Sequence, residues 1–152
     1  MPNLLLVLPL LALQSQTLTA NELSLGGAMV FLDHPFAGAE LGFAHRPSSE
    51  SRIALAVAGG AANGDAAVRA QVTIQLLINP LARSGTGVYA GLGAAFAGQD
   101  GVPGQGFLAV LVGVEAAPGG RKAWYAELGF CGGVRAAVGW RLRKFPRWWS
   151  GP

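Results

Sequence analysis

A chain of 152 residues that is 51% hydrophobic and only 12% charged is hardly long enough for two domains and too poor in charge to cover a soluble surface with 11 basic and 8 acidic residues. Its 23 glycines and 9 prolines interrupt the chain too often for long helices and favour many short elements. A net charge of +3 without a basic run interleaved with exposed aromatics argues against nucleic acid as a partner, and a single cysteine, Cys131, rules out an intramolecular disulfide and a cysteine-based metal site.

Residues 1–20 read MPNLLLVLPLLALQSQTLTA. The apolar core from Leu4 to Leu13 is too short to span a bilayer and has the length of a signal-peptide core. A polar stretch follows, with Ser15 or Ala20 as a small residue for cleavage. No Lys or Arg precedes the core, so the amino terminus supplies the only positive charge there. The expected organisation is a signal peptide over 1–20, a β-barrel domain over 21–145 and a short tail over 146–152.

From Glu22 onward the chain divides into stretches bounded by Gly, Pro, Asn, Asp or Ser, within which apolar and small or polar residues alternate. A period of two is the mark of strands with two different faces. In the first stretch Leu23, Leu25, Met29 and Phe31 oppose Glu22, Ser24, Gly26 and Ala28. In the second, Ala37, Ala39, Leu41 and Phe43 oppose Gly38, Glu40 and Gly42. In the third, Ile53, Leu55 and Val57 oppose Arg52, Ala54 and Ala56. The fourth is the most regular: Val68, Ala70, Val72, Ile74, Leu76 and Ile78 against Arg69, Gln71, Thr73 and Gln75, with Leu77 breaking the polar row.

The fifth sets Val88, Ala90, Leu92, Ala94 and Phe96 against Gly87, Tyr89, Gly91 and Gly93. The sixth sets Leu108, Val110, Val112 and Val114 against Phe107, Ala109, Leu111, Gly113 and Glu115. The seventh sets Trp124, Ala126, Leu128 and Phe130 against Tyr125, Glu127, Gly129 and Cys131. The eighth sets Val134, Ala136, Val138, Trp140 and Leu142 against Arg135, Ala137, Gly139, Arg141 and Arg143. Strands of this length cross hydrocarbon at a tilt of about 45°. A spanning sheet must close on itself, because lipid cannot satisfy a free strand edge.

Alternation alone fits a soluble barrel with an apolar inside or a membrane barrel with an apolar outside. Aromatic placement favours the second. Phe31, Phe96 and Phe130 fall at one end of their strands, whereas Phe43, Trp124 and Trp140 fall toward the other, as in the two interfacial girdles of a membrane barrel. The strand-borne charges Glu22, Glu40, Glu115, Glu127, Arg52, Arg69, Arg135, Arg141 and Arg143 all lie on the opposite row and nearly cancel. An interior of eight strands is only wide enough for its own side chains, so these ions are expected to pair with one another in the lumen.

In strand count, alternation, girdles and charged interior, the stretch from Glu22 to about Phe145 resembles the small outer-membrane barrels of the OmpA and OmpX type. That resemblance implies an all-β, closed, antiparallel up-and-down barrel in a bacterial outer membrane, with the lipid bilayer and, during biogenesis, the barrel-assembly machinery as partners. Such barrels usually end in an aromatic residue preceded by alternating apolar ones. Here Phe145 ends the last strand, but Arg141 and Arg143 precede it at that spacing and PRWWSGP follows, with Trp148 and Trp149 placed to anchor the tail at the interface.

With the N-terminus on the periplasmic side, the outer connections are LDHP, GAANGD, GQDGVPGQG and CGG, and the periplasmic turns are HRPSSES, NPLARSGTG and APGGRKA. Acidic Asp33, Asp65 and Asp100 then sit at one end, and Arg46, Arg83, Arg121, Lys122, Lys144 and Arg147 at the other. His34 and Asp33 share an outer loop that superficially resembles the outer-membrane acyltransferases. The serines Ser48, Ser49 and Ser51 belong to the opposite end, beside His45, so no nucleophile, base and acid converge. No spaced metal-ligand set and no phosphate loop is present. The expectation is a non-enzymatic, monomeric outer-membrane barrel with a structural or interfacial role and no cofactor. Its rivals are a narrow pore for ions or small solutes and a soluble exported lipid-binding barrel.

Overall fold

The computed structural model describes residues 17–31 and 35–149. The expected signal-peptide core, and Asp33 with His34, lie outside the described residues. Eight strands follow one another: β1 (Ala20–Phe31), β2 (Phe36–Arg46), β3 (Ser51–Ala62), β4 (Asp65–Ile78), β5 (Thr86–Gln99), β6 (Val102–Ala116), β7 (Lys122–Phe130) and β8 (Val134–Lys144). Each pairs antiparallel with its sequence neighbours, and β1 pairs with β8 from Asn21↔Lys144 to Phe31↔Val134, which closes the barrel. No strand is left at an open edge along the β1–β8 seam.

The period-two pattern becomes two faces. On β1, Leu25 is 64% exposed, while its neighbour Glu22 three residues earlier is 2% exposed. Ile74, Leu92, Leu108, Leu128 and Val138 likewise point outward. The alternative of a soluble barrel with its apolar row inside is therefore overturned: that row covers the exterior, and the glutamates and arginines fill the axis. Phe31, Phe96 and Phe130 stand outward at one end of their strands. Phe43, Trp124 and Trp140 stand outward toward the other, with Trp124 and Trp140 facing each other across the β7–β8 pair.

We call the end that carries the start of β1 and the finish of β8 the lower end. At the upper end two connections are shorter than the glycine- and proline-rich stretches lead one to expect. The segment GAANGD shrinks to the two-residue turn Asn63–Gly64, both residues at positive φ (52° and 92°), the conformation of an Asn-Gly hairpin whose twist matches its strands. The segment GQDGVPGQG shrinks to Asp100–Gly101, with Gly101 at φ 72°. The flanking Val102–Gly106 continues β6, pairing with β5 across a register shift between Ala97 and Gln99. Once a tight turn aligns two strands, ladder hydrogen bonds hold even a glycine-rich segment extended.

Small apolar clusters cap the charged interior. Toward the upper end Ala28, Val30, Phe36, Ala58, Ala62 and Ala137 pack together. At the lower end Leu18, Ala20 and Phe145 pack together with Trp149 against them. The lower cluster corrects the expectation that both tail tryptophans lie at the interface: Trp148 is exposed, but Trp149 folds back over the mouth. Its Nε1 donates to the Gly119 carbonyl at 2.9 Å and its own carbonyl accepts from Arg83 Nη2 at 2.6 Å, while that guanidinium lies 4.4 Å from the indole centroid. Leu77, which broke the polar row, fills the lumen between Tyr89 and Leu111.

Candidate functional site in the barrel lumen

The axis holds a continuous ladder of ion pairs, built because inward positions on six strands carry long charged side chains beside small residues. At the lower end two carboxylates, Glu22 on β1 and Glu115 on β6, are shared by four guanidiniums. Arg52 Nη1 lies 2.8 Å from Glu22 and 2.9 Å from Glu115. Arg46 donates to Glu22 and lies 3.2 Å from Glu115. Arg141 donates to Glu115, and Arg143 Nη2 lies 2.8 Å from it. Arg143 also reaches the backbone carbonyls of Ala117 and Gly120, at 3.2 and 3.1 Å, on the β6–β7 connection.

Higher in the lumen the carboxylates predominate. Arg135 lies between Glu40, at 2.7 Å to Oε1, and Glu127, at 2.8 Å. Glu127 accepts a second bond from the Tyr89 hydroxyl at 2.7 Å and stands 3.5 Å from Arg141, linking the two groups. Tyr89 and Tyr125 offer ring faces to the guanidiniums: Arg52 is 4.5 Å from the Tyr89 centroid, and Arg141 is 4.5 Å from that of Tyr125. A buried ion is tolerated only with a countercharge and hydrogen bonds, and this arrangement supplies both to most of the ladder.

Of the lumen residues singled out from sequence, Glu40, Glu115, Glu127, Arg52, Arg135 and Arg141 are brought together, and Glu22 and Arg143 join them. Arg69 is not brought to them. It sits at the upper rim, where its Nη2 donates to the Cys131 carbonyl at 2.6 Å and the guanidinium lies 5.9 Å from the centroids of both Phe36 and Phe107. No carboxylate among the described residues forms an ion pair with it. Arg46, expected in a periplasmic turn, is instead the last residue of β2, with 0% of its surface exposed. The signal for it was present: Glu40, Gly42, Ala44 and Arg46 share one parity, so extending the strand by two residues turns Arg46 inward. Gln75, which accepts from Arg52 Nε at 2.8 Å and donates to Thr73, completes the lower group.

The ladder leaves little free space. The pocket between Ser24, Glu40, Gln71 and Tyr125 has a volume of about 20 Å³, and that between Val30, Ala58, Gln71 and Arg135 about 10 Å³, each room for about one water at most. A larger hollow opens at the upper rim around Arg69, with about 290 Å³. Near the lower end Ser48 Oγ is 2.6 Å from Ser51 Oγ, and His45 Nδ1 is 2.8 Å from Asn21 Oδ1, so the histidine and serines are engaged separately. Among the described residues no three His, Cys, Asp or Glu side chains are placed to hold a metal ion. No helix among them is long and apolar enough to cross a membrane, which bears only on helical spans.

No protein-family model and no curated protein matches the chain. Solved structures do. The N-terminal β-barrel domain of Pseudomonas aeruginosa OprF aligns with a TM-score of 0.64 at 13% identity, covering 82% of this chain and 97% of that one. Neisserial surface protein A, NspA, aligns with a TM-score of 0.55 at 14% identity over 82% of this chain and 95% of its own. Ail, the attachment invasion locus protein of Yersinia pestis, aligns with a TM-score of 0.52 at 14% identity over 84% and 99%. The shared feature is the fold: the chain is a closed eight-stranded antiparallel barrel of the architecture seen in these small barrels.

Proposed function

We propose that this chain is a monomeric outer-membrane barrel that spans the bilayer and serves there as a non-enzymatic, non-conducting structural element. One observation carries the reading: the exterior is an apolar belt between two sets of outward rings, while Glu22, Glu40, Arg46, Arg52, Glu115, Glu127, Arg135, Arg141 and Arg143 turn to the axis and the exposed strand charges Asp65, Lys122 and Lys144 stand at strand ends. In water such a belt would be an aggregation surface far beyond what monomeric proteins expose. Against acyl chains it is the favoured solvent contact, and the closed ladder leaves no strand edge to lipid.

The ends support an interfacial role. Arg83, Arg121, Lys122, Lys144 and Arg147 are exposed at the lower end, and Asp65 and Asp100 at the upper. Lys122 Nζ lies 5.5 Å from the Trp140 ring, so cationic groups adjoin an aromatic girdle where anionic headgroups would lie. A pore for ions or solutes fits less well, because ion pairs and two apolar clusters occupy the axis.

Fractionation tests the proposal. The full chain, expressed in a Gram-negative host, is expected in the outer-membrane fraction, released only by detergent, with different gel migration before and after boiling. Recovery in the soluble periplasm would overturn it.

A further inference from the structure

Among the described residues, one inward-facing arginine, Arg69, has no carboxylate partner, and it stands where water and solutes can reach it. Arg135 and the four lower arginines each face a carboxylate, whereas Arg69 faces two phenyl rings and a backbone carbonyl. It lines the 290 Å³ basin at the upper rim, a volume equal to about ten water-sized groups and close to the lower end of small-molecule sites. The rest of the lining divides into two kinds. Ala62, Ala67, Val102 and Pro103 are apolar, while Gln99 and Gln105 bring side-chain amides.

We propose that this basin binds a small organic monoanion, a carboxylate carrying a short apolar body, with Arg69 as the group that recognises the charge. The Arg69 guanidinium lies 5.9 Å from the centroids of Phe36 and Phe107, and its Nη2 donates to the Cys131 carbonyl. Among the described residues, Nε and Nη1 make no hydrogen bond, so an N–H of either can donate a charge-assisted bond to a carboxylate oxygen. The apolar wall accounts for the body of the ligand. A single negative charge is favoured over two, because among the described residues one cation lines the basin and the carboxylate of Asp65 lies 3.3 Å from the side-chain amide of Gln99, a lining residue. The same Gln99 amide donates to the Ala62 carbonyl at 3.1 Å, which fixes it at the rim.

The test uses the full barrel refolded into phosphatidylcholine nanodiscs, titrated with hexanoate, acetate, 1-hexanol and inorganic phosphate. Binding is read by calorimetry and by amide resonances of Gly98, Gln105 and Gly132. Hexanoate is expected to bind saturably and to shift those resonances, with acetate and 1-hexanol each at least tenfold weaker. Arg69→Gln should weaken hexanoate at least tenfold, and Ala67→Phe, which fills the basin and keeps the cation, should do the same. The proposal is overturned by absent hexanoate binding, by equal affinity in wild type and Arg69→Gln, or by phosphate binding as tightly as hexanoate. If Arg69→Gln does not fold, hexanoate affinity retained in Ala67→Phe overturns it.

Discussion

The Tyr89 ring lies over Gly113, its register partner on the neighbouring strand. A Cβ at Gly113 would stand 2.6 Å from the ring's Cε2 and from its hydroxyl oxygen, so a side chain there must displace the ring. Tyr89 in turn bonds Glu127 and faces Arg52 and Arg141. The missing side chain on β6 thus makes room for the ring that joins the two halves of the ionic ladder.

Gly113→Leu is therefore expected to destabilise the folded barrel by about 1–3 kcal/mol, the usual cost of overpacking, and Gly113→Ala by less. Urea titration of heat-modifiable gel migration reads the difference. Equal midpoints for wild type and Gly113→Leu would contradict the packing described for Tyr89.

Removing one shared carboxylate should cost more. Glu115→Gln leaves Arg46, Arg52, Arg141 and Arg143 with Glu22 as their remaining lower carboxylate, and breaking a buried pair from one side costs about 3–5 kcal/mol. The double substitution Glu115→Gln with Arg52→Gln should be less damaging than the sum of its parts, because it removes a charge together with its counterion. The folded fraction across a urea series measures both.

The outward row predicts a response that depends on the surrounding solvent. Ile74 is 62% exposed between the Phe96 girdle position and the lower end, so Ile74→Arg should destabilise the barrel in a bilayer by about 2–4 kcal/mol. Leu81→Arg, in the lower connection, should change stability by no more than about 1 kcal/mol. Unfolding in lipid vesicles distinguishes them, and equal effects would move the lipid boundary.

Sealing of the axis is open to a direct electrical measurement. Refolded wild-type protein is expected to give no steady conductance in a planar bilayer, since its lumen pockets hold about 20 and 10 Å³. Reproducible single-channel steps from pure protein would replace the sealed plug by a pore.

The tail makes a local contribution. Trp149→Ala removes the stacking of Arg83 and the bond to Gly119, together about 1–2 kcal/mol. Because these contacts join connections rather than strands, the barrel should remain closed while the 79–85 connection becomes more sensitive to protease. Unchanged cleavage would detach the tail from that connection.

Much of this architecture can be read along one dimension. Successive strand side chains point to opposite faces, so the parity of Leu25, Ile74 and Val138 against Glu22, Arg69 and Arg141 assigns the two surfaces without coordinates. The same parity carries Arg46 inward, and it was obscured only by ending β2 early, at a segment rich in turn formers. Composition misleads in the opposite direction at Asp100–Gly101, where glycine and proline suggest a long loop but a tight turn and cross-strand hydrogen bonds extend the ladder.

Alternation, strand number and the set of charges kept off the outward face are therefore legible in the residues alone, since each follows from local backbone geometry and side-chain polarity. Which charges meet is a matter of three-dimensional closure. Glu115 joins Arg46 across 69 residues of chain, while Arg69 is left at the rim with two rings and an open basin. Those neighbours depend on closure between β1 and β8 and on the relative stagger of the strands. Both are global properties, in which every ladder bond takes part and no single segment carries the information.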